Sequence, residues 1–137
     1  MNNPSSRSLS QIEGMAWHAP DPDATRLVRT VHGLRDVPLA DLTIENLRIL
    51  MSQRVGVDVL TPVVLDILDA DPLAGGDFYP GDLFTALLRC HSRTAAVPEL
   101  TIRIENLIER LSEKGDLEDF GAPHNRIWSS IDEWRRA

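Results

Sequence analysis

The spacing of apolar residues between positions 60 and 68 constrains the fold more than any other feature of this chain. These residues are Leu60, Val63, Val64, Ile67 and Leu68, at relative offsets of 0, 3, 4, 7 and 8. Such offsets place all of them on one face of an α-helix, whereas a half-buried strand alternates with a period of two. The spacing therefore predicts an amphipathic helix that ends at Asp71-Pro72. Pro62 is expected in its first turn, with Asp58 or Thr61 as the N-cap.

Helical periodicity recurs in five further segments. They cover residues 20–34, 39–53, 82–92, 98–115 and 124–136. In the first of them Asp21 or Asp23 is expected to be the N-cap, and in the second Thr43. The segment 98–115 begins with an alternation that a strand would also show, but its helical period persists over three turns and predicts a helix.

Length and composition match one ordinary globular domain. The chain has 137 residues, of which 42% are hydrophobic and 26% are charged, close to the average of globular proteins. Residues 1–10 are polar and lack periodicity, which is typical of a flexible N-terminal tail. We therefore predict an all-α protein in which residues 11–137 form a compact single-domain bundle of five to six short helices.

The charge of the chain narrows the class of partner. Fourteen basic and twenty-one acidic residues give a net charge of −7, which repels nucleic acids and anionic membranes and favours a basic protein partner. No signal peptide is recognisable, and no segment approaches the ~20 apolar residues that span a bilayer. We expect a cytoplasmic protein that binds neither nucleic acid nor membrane directly.

Residues 69–82, with the sequence DADPLAGGDFYPGD, contain four aspartates, which could bind a metal ion or serve acid–base catalysis. On the calcium-binding EF-hand template, Leu73, Ala74 and Pro80 occupy the fifth, sixth and twelfth positions, so the ligand set is missing. The Gly-Gly pair is not followed by the Gly-Lys-Ser/Thr of a phosphate-binding loop. The sequence predicts no metal and no cofactor. Asp77 and Asp82 remain the candidates for acid–base catalysis in a small hydrolase or metal-dependent enzyme.

A turn between two helices explains the same composition without chemistry. Either glycine of the Gly75-Gly76 pair would supply a positive φ, and Pro80 would occupy the first helical position. Asp82 would face the free amides of the first turn. Phe78 and Tyr79 would fasten the loop to the core.

The remaining reactive side chains do not form a catalytic set. Cys90 is the only cysteine, and its neighbour His91 would point about 100° away from it on a helix. Cys90 is therefore expected to be a small core residue. The four histidines show no spacing typical of metal ligands. We predict that the protein is not an enzyme and has no catalytic residues.

The segment LTIENLRILMSQRVGVDVLTPVVLDILDADPLAGGDFYPGDLFTALL resembles the core of the immunity proteins of contact-dependent growth inhibition (CDI) systems. The matching residues are Leu47, Arg48, Leu50, Gln53, Gly56, Leu60, Pro62, Leu65, Leu68, Pro72, Leu73, Ala74, Gly76, Asp77, Phe78, Tyr79, Pro80, Gly81, Asp82 and Leu83. The string GDFYPGDL is the most specific part. The resemblance spans residues 38–90, with Met51 and Asp71 where Ile and Asn are usual.

The resemblance implies a protein that binds the C-terminal toxin domain of a cognate CDI effector in a 1:1 complex. Binding would block the active site or the substrate path of the toxin. Toxins of such systems are often nucleases with basic grooves, which suits an acidic partner. The expected toxin-interface residues are Asp66, Asp69, Asp71, Asp77, Glu105, Glu109 and Glu113. A small hydrolase using Asp77 and Asp82, or a generic helical adaptor, remains the alternative.

Overall fold

The computed structural model describes residues 6–136 as seven α-helices and two short 3-10 turns. The helices are α1 (Leu9–Glu13), α2 (Arg26–Leu34), α3 (Ile44–Ser52), α4 (Val57–Ala70), α5 (Asp82–Cys90), α6 (Pro98–Glu113) and α7 (His124–Arg136), and the 3-10 turns are Leu39–Asp41 and Leu117–Phe120. The all-α class is confirmed. The predicted number of five to six helices is too low, because the five residues of α1 are too few to show helical periodicity.

The beginning of the described chain is packed into the folded body. Ser8 accepts a hydrogen bond from the Gln11 N–H, and the Gln11 side chain accepts one from the Ser8 N–H, which is a capping box. Leu9 is completely buried, and an isolated β-bridge joins Ser8 to Pro38. Ser8 and Leu9, which we assigned to the flexible tail of residues 1–10, instead belong to the domain. Residues 1–5 of that predicted tail lie outside the described residues.

The N-terminal ends of two helices differ from the predictions. In α2 the N-cap is Thr25, whose hydroxyl accepts a hydrogen bond from the Val28 N–H, so neither Asp21 nor Asp23 has this role. In α3 the predicted cap Thr43 is confirmed, and it forms a capping box with Asn46. In both helices a threonine directly precedes the first helical residue, and from this position its hydroxyl can accept a free N–H of the first turn.

Pro62 lies inside α4, at its sixth residue, and not in the first turn. The helix begins earlier than predicted because its N-cap is Gly56, with φ +67°, rather than Asp58 or Thr61. The missing N–H of Pro62 leaves the carbonyl four residues earlier without a helical partner. The Thr61 hydroxyl meanwhile donates to the Val57 carbonyl at 2.7 Å. The predicted end of the helix at Asp71 is confirmed.

Helix α5 is the centre of the bundle. It packs against α3, α4 and α7, while α6 packs against α4 and α2 packs against α3. Residues 81–88 are all buried. Cys90, at the end of α5, contacts the core as expected, and its thiol donates to the Met51 carbonyl at 3.0 Å. Burial raises the pKa of this thiol. Across residues 6–136, none of the helices has both the length and the apolar character that crossing a membrane requires.

We expect Gly56→Ala to lower the free energy of unfolding more than Gly14→Ala. Both glycines have φ +67°, so the left-handed backbone costs alanine about 1–2 kcal/mol at either position. At Gly56 an added Cβ would lie 2.7 Å from Leu9 Cδ2, whereas at Gly14 it would meet nothing within 4 Å. Overpacking at Gly56 should add about 1–3 kcal/mol. Urea denaturation measures both losses, and equal losses would contradict the tight packing of Leu9.

Candidate functional site

The GDFYPGDL string forms a closed loop between α4 and α5 that is held by the Asp82 side chain. Asp82 is only 3% exposed. Its Oδ1 accepts the Gly76 N–H at 2.6 Å, and its Oδ2 accepts the N–H groups of Phe78 at 3.1 Å and Tyr79 at 3.4 Å. These hydrogen bonds compensate the cost of burying a carboxylate. Asp82 therefore binds the preceding loop and not the free amides of its own helix, which were its predicted partners.

A second carboxylate reaches the same loop from α3. Glu45 Oε1 accepts the Asp77 N–H at 2.9 Å, so four successive loop amides, those of residues 76–79, are bound by two side chains. Arg48 donates one hydrogen bond of 2.6 Å to each oxygen of Glu45. These bonds are the main reason why the pKa of Glu45 is lowered and that of Arg48 is raised. The loop is thus fixed to α3 as well as to α5.

The glycines of the loop serve two different needs. The positive φ is found at Gly81, which is the N-cap of α5 with φ +95°, and neither Gly75 nor Gly76 has one. At Gly75 an added Cβ would lie 2.5 Å from the Tyr79 carbonyl oxygen, and at Gly76 it would lie 3.0 Å from Glu45 Cα. The predicted positive φ at the Gly-Gly pair is wrong, because these two positions require the absence of a side chain instead.

The two aromatic side chains of the loop have opposite surroundings. Tyr79 packs against the core as predicted, and its hydroxyl lies 2.9 Å from Thr85 Oγ1. Phe78 is 72% exposed, and its ring centroid lies 4.0 Å from the Arg48 guanidinium carbon. The prediction that Phe78 fastens the loop to the core is therefore wrong. Pro80 precedes the N-cap of α5 and so does not occupy the first helical position.

The two carboxylates of the hydrolase hypothesis differ in their burial. Asp82 is buried with both oxygens bound to loop amides, while Asp77 is exposed. His91 is half-buried, its Nε2 lies 2.9 Å from the Thr61 hydroxyl, and burial lowers its pKa. Within residues 6–136 no group of three or more His, Cys, Asp or Glu side chains is placed to hold a metal ion. Asp82 is therefore a structural residue in this loop.

Two of the predicted interface aspartates connect α4 to α6. Asp69 accepts a hydrogen bond from Arg103 at 2.6 Å, and Asp66 accepts one from the same guanidinium at 3.3 Å. The bond from Asp69 is the main cause of the raised pKa of Arg103. Asp71 ends α4, and its Oδ1 accepts the Leu73 N–H at 3.0 Å. All three aspartates are exposed but already have partners.

The predicted interface residues of α6 are not equivalent either. Glu105 lies 3.0 Å from Arg135 and 3.7 Å from Arg93. Glu109 and Glu113 are exposed. Among the residues that the structure describes, neither of these two has an ion-pair partner within 4.0 Å, and the same is true of Asp71 and Asp77. Asp71, Asp77, Glu109 and Glu113 are thus the predicted residues without an ion pair among the described residues.

A further signal in the sequence is the absence of basic residues from the long segment that contains the loop. Between Arg54 and Arg89 the sequence contains six aspartates but no lysine or arginine. Two arginines from other elements contact the loop. Arg48 is bound to both oxygens of Glu45, and the Arg126 guanidinium carbon lies 5.5 Å from the Tyr79 ring centroid. The two exposed residues of the GDFYPGDL string are Asp77 and Phe78, an acidic side chain and an aromatic ring.

A second surface feature is an open groove of about 850 Å³ between residues 15–20 and α2. The Trp17 ring meets His32 edge-on with centroids 5.0 Å apart, and the Arg35 guanidinium carbon lies 4.2 Å from its centroid. Leu27 and Val28 of α2 are exposed. This groove leaves no signal in the local sequence, because the contacts of Trp17 depend on tertiary packing.

One known protein family matches the part of the chain that contains both the loop and the groove. A family model described as CDI immunity proteins matches residues 11–107. The matched segment is more than half of the chain. This chain belongs to the CDI immunity protein family. The match to the CDI immunity proteins extends on both sides of residues 38–90, where the resemblance was seen, but it does not include α7. Comparisons with curated proteins and with solved structures gave no match.

We expect Asp82→Ala to lower the free energy of unfolding of this CDI immunity protein by about 3–5 kcal/mol, because three loop N–H groups lose their acceptor. Asp71→Ala is the matched control in the same loop, since Asp71 is exposed and accepts one N–H. Its expected loss is about 0.5–1.5 kcal/mol. Urea denaturation compares the two variants. A loss below about 1 kcal/mol for Asp82→Ala would contradict its role in holding the loop.

Proposed function

We propose that this CDI immunity protein binds the C-terminal toxin domain of its cognate effector in a 1:1 complex and so protects the cell that makes it. The observation that carries this proposal is the match to the CDI immunity proteins over residues 11–107. In this proposal the protein acts in the cytoplasm by occupying the active site or the substrate path of the toxin, and it catalyses no reaction.

The charge distribution supports inhibition by occlusion. Four of the predicted carboxylates, those of Asp71, Asp77, Glu109 and Glu113, could pair with basic groups of a toxin without breaking an ion pair of their own fold. To pair with the toxin, Asp66, Asp69 and Glu105 would have to break an ion pair with an arginine of their own fold. Exposed ion pairs contribute only about 0–1 kcal/mol, so this exchange costs little. All seven predicted carboxylates therefore stay candidates, and the four without an ion pair are favoured.

We further propose that the toxin is a nuclease with a basic groove. A groove that binds phosphates is positively charged, and the net charge of −7 has the opposite sign. Complementary fields of this kind raise association rates by about 10- to 1,000-fold. The six aspartates between Arg54 and Arg89 concentrate negative charge in one part of the sequence. An acidic surface that replaces the phosphate backbone in the groove would keep the substrate out.

The direct test is co-expression with the toxin domain encoded beside this gene. We expect cells that carry both genes to grow, cells that carry the toxin gene alone to stop growing, and the purified proteins to elute together at 1:1 stoichiometry. The toxin domain of an unrelated CDI system serves as the control and should remain toxic. Growth arrest in the presence of both cognate genes, together with the absence of a complex, would contradict the proposed function. If no effector gene is adjacent, the helical adaptor becomes the better hypothesis.

We expect Asp77→Lys to reduce the rate of association with the toxin domain about tenfold at low ionic strength. Asp119→Lys is the matched control, because Asp119 is also exposed and precedes a phenylalanine but lies beyond the matched residues 11–107. Both substitutions change the net charge equally, so a difference between them reports on the local surface. Stopped-flow measurements at two salt concentrations should show the difference shrinking in high salt. Equal rates would exclude Asp77 from the interface.

A further inference from the structure

Phe78 is the large apolar side chain with the greatest exposure among the described residues, at 72%. Burial of its ring in the core would have stabilised the fold, and the neighbouring Tyr79 is packed in this way. The fold instead places the Phe78 ring at the surface, over the Arg48 guanidinium at 4.0 Å. An exposed aromatic ring at a fixed position is the kind of side chain that dominates protein interfaces.

The position of Phe78 is fixed in both its backbone and its side chain. The amides of residues 76–79 are bound by Asp82 and Glu45. The ring lies on Arg48, which is itself held by two hydrogen bonds to Glu45. A side chain that is ordered before binding loses less conformational entropy when a partner contacts it. The loop therefore presents the ring in a preorganised state.

The segment of the chain that carries Phe78 is acidic in sequence. Asp77 beside it is exposed, and no lysine or arginine occurs between positions 54 and 89. The charge of Arg48 is compensated by Glu45 through two hydrogen bonds. An apolar centre with a charged rim is the usual anatomy of a specific interface. Because the charged neighbour here is the negative Asp77, the expected partner surface is basic.

We propose that Phe78 is the central anchor of the complex, and that it inserts into an apolar pocket on the basic surface of the toxin domain. This inference rests on the proposed function and names the part of the surface that carries most of the affinity. If the ring served only to cover Arg48, its removal would change stability slightly and binding very little. The two roles therefore differ in a measurable way.

The test uses Phe78→Ala with Phe120→Ala as the matched control. Phe120 also follows an aspartate, is 51% exposed and lies over a cation, Lys114, at 4.7 Å, but it is outside the matched residues. The probe is the purified toxin domain encoded beside this gene, titrated by calorimetry. We expect Phe78→Ala to raise Kd about 30-fold or more, as for an interface hot spot, and Phe120→Ala to raise it less than about threefold.

Each outcome separates this inference from the proposed function. Wild-type protein that fails to bind the toxin domain overturns both. Wild-type binding with a folded Phe78→Ala variant that stays within about threefold overturns the anchor alone. An equal loss in Phe120→Ala also overturns the anchor. Phe78→Met keeps an apolar chain over Arg48 and provides a second variant if alanine unfolds the loop. It should lose about tenfold in affinity, and an unchanged Kd for this variant would likewise overturn the proposal.

Discussion

The buried carboxylate of Asp82 is the interaction on which the rest of this structure depends. Asp82 is the first residue of α5, the central helix, and it accepts N–H groups from the loop that leads out of α4. Arg48 of α3 lies 3.7 Å away and adds a compensating positive charge. A buried carboxylate is tolerated only where hydrogen bonds and opposite charge replace the lost water. One side chain therefore fixes the relative positions of α3, α4 and α5.

This arrangement gives most of the GDFYPGDL string a structural reason. Gly76 allows close approach to Glu45, Tyr79 reaches Thr85, Gly81 has the positive φ, and Asp82 holds the loop. Phe78 is different. Among the described residues, the one ring contact of Phe78 is with the Arg48 guanidinium. Stability thus accounts for most of the string but not for the exposed side chains of Asp77 and Phe78, and a role in binding would account for these two.

The sequence predicted what depends on local periodicity and missed what depends on distant contacts. Helices α2 to α7 were recognised because one apolar face repeats at the helical period, whereas α1 is too short for this signal. Glycine has two uses, a positive φ and close approach. The close approach at Gly76 could not be predicted because Glu45 lies about 30 positions earlier in the chain. Similarly, Arg103, which donates hydrogen bonds to Asp66 and Asp69, lies more than 30 positions later in the chain. Such pairs leave no mark on local spacing.

The last helix completes the support of the loop although the family match does not include it. Ile127 of α7 lies so close to Gly81 that an added Cβ would be 2.8 Å from its Cδ1, and the Arg126 guanidinium carbon lies 5.5 Å from the Tyr79 ring centroid. The loop is thus held by α3, α5 and α7 together, with the Phe78 ring on its open side. Binding that requires a conformational change is slower than binding to a surface already in place. A loop fixed by its own fold lets an encounter steered by charge proceed directly to the complex, which suits an inhibitor that has to act before its toxin does.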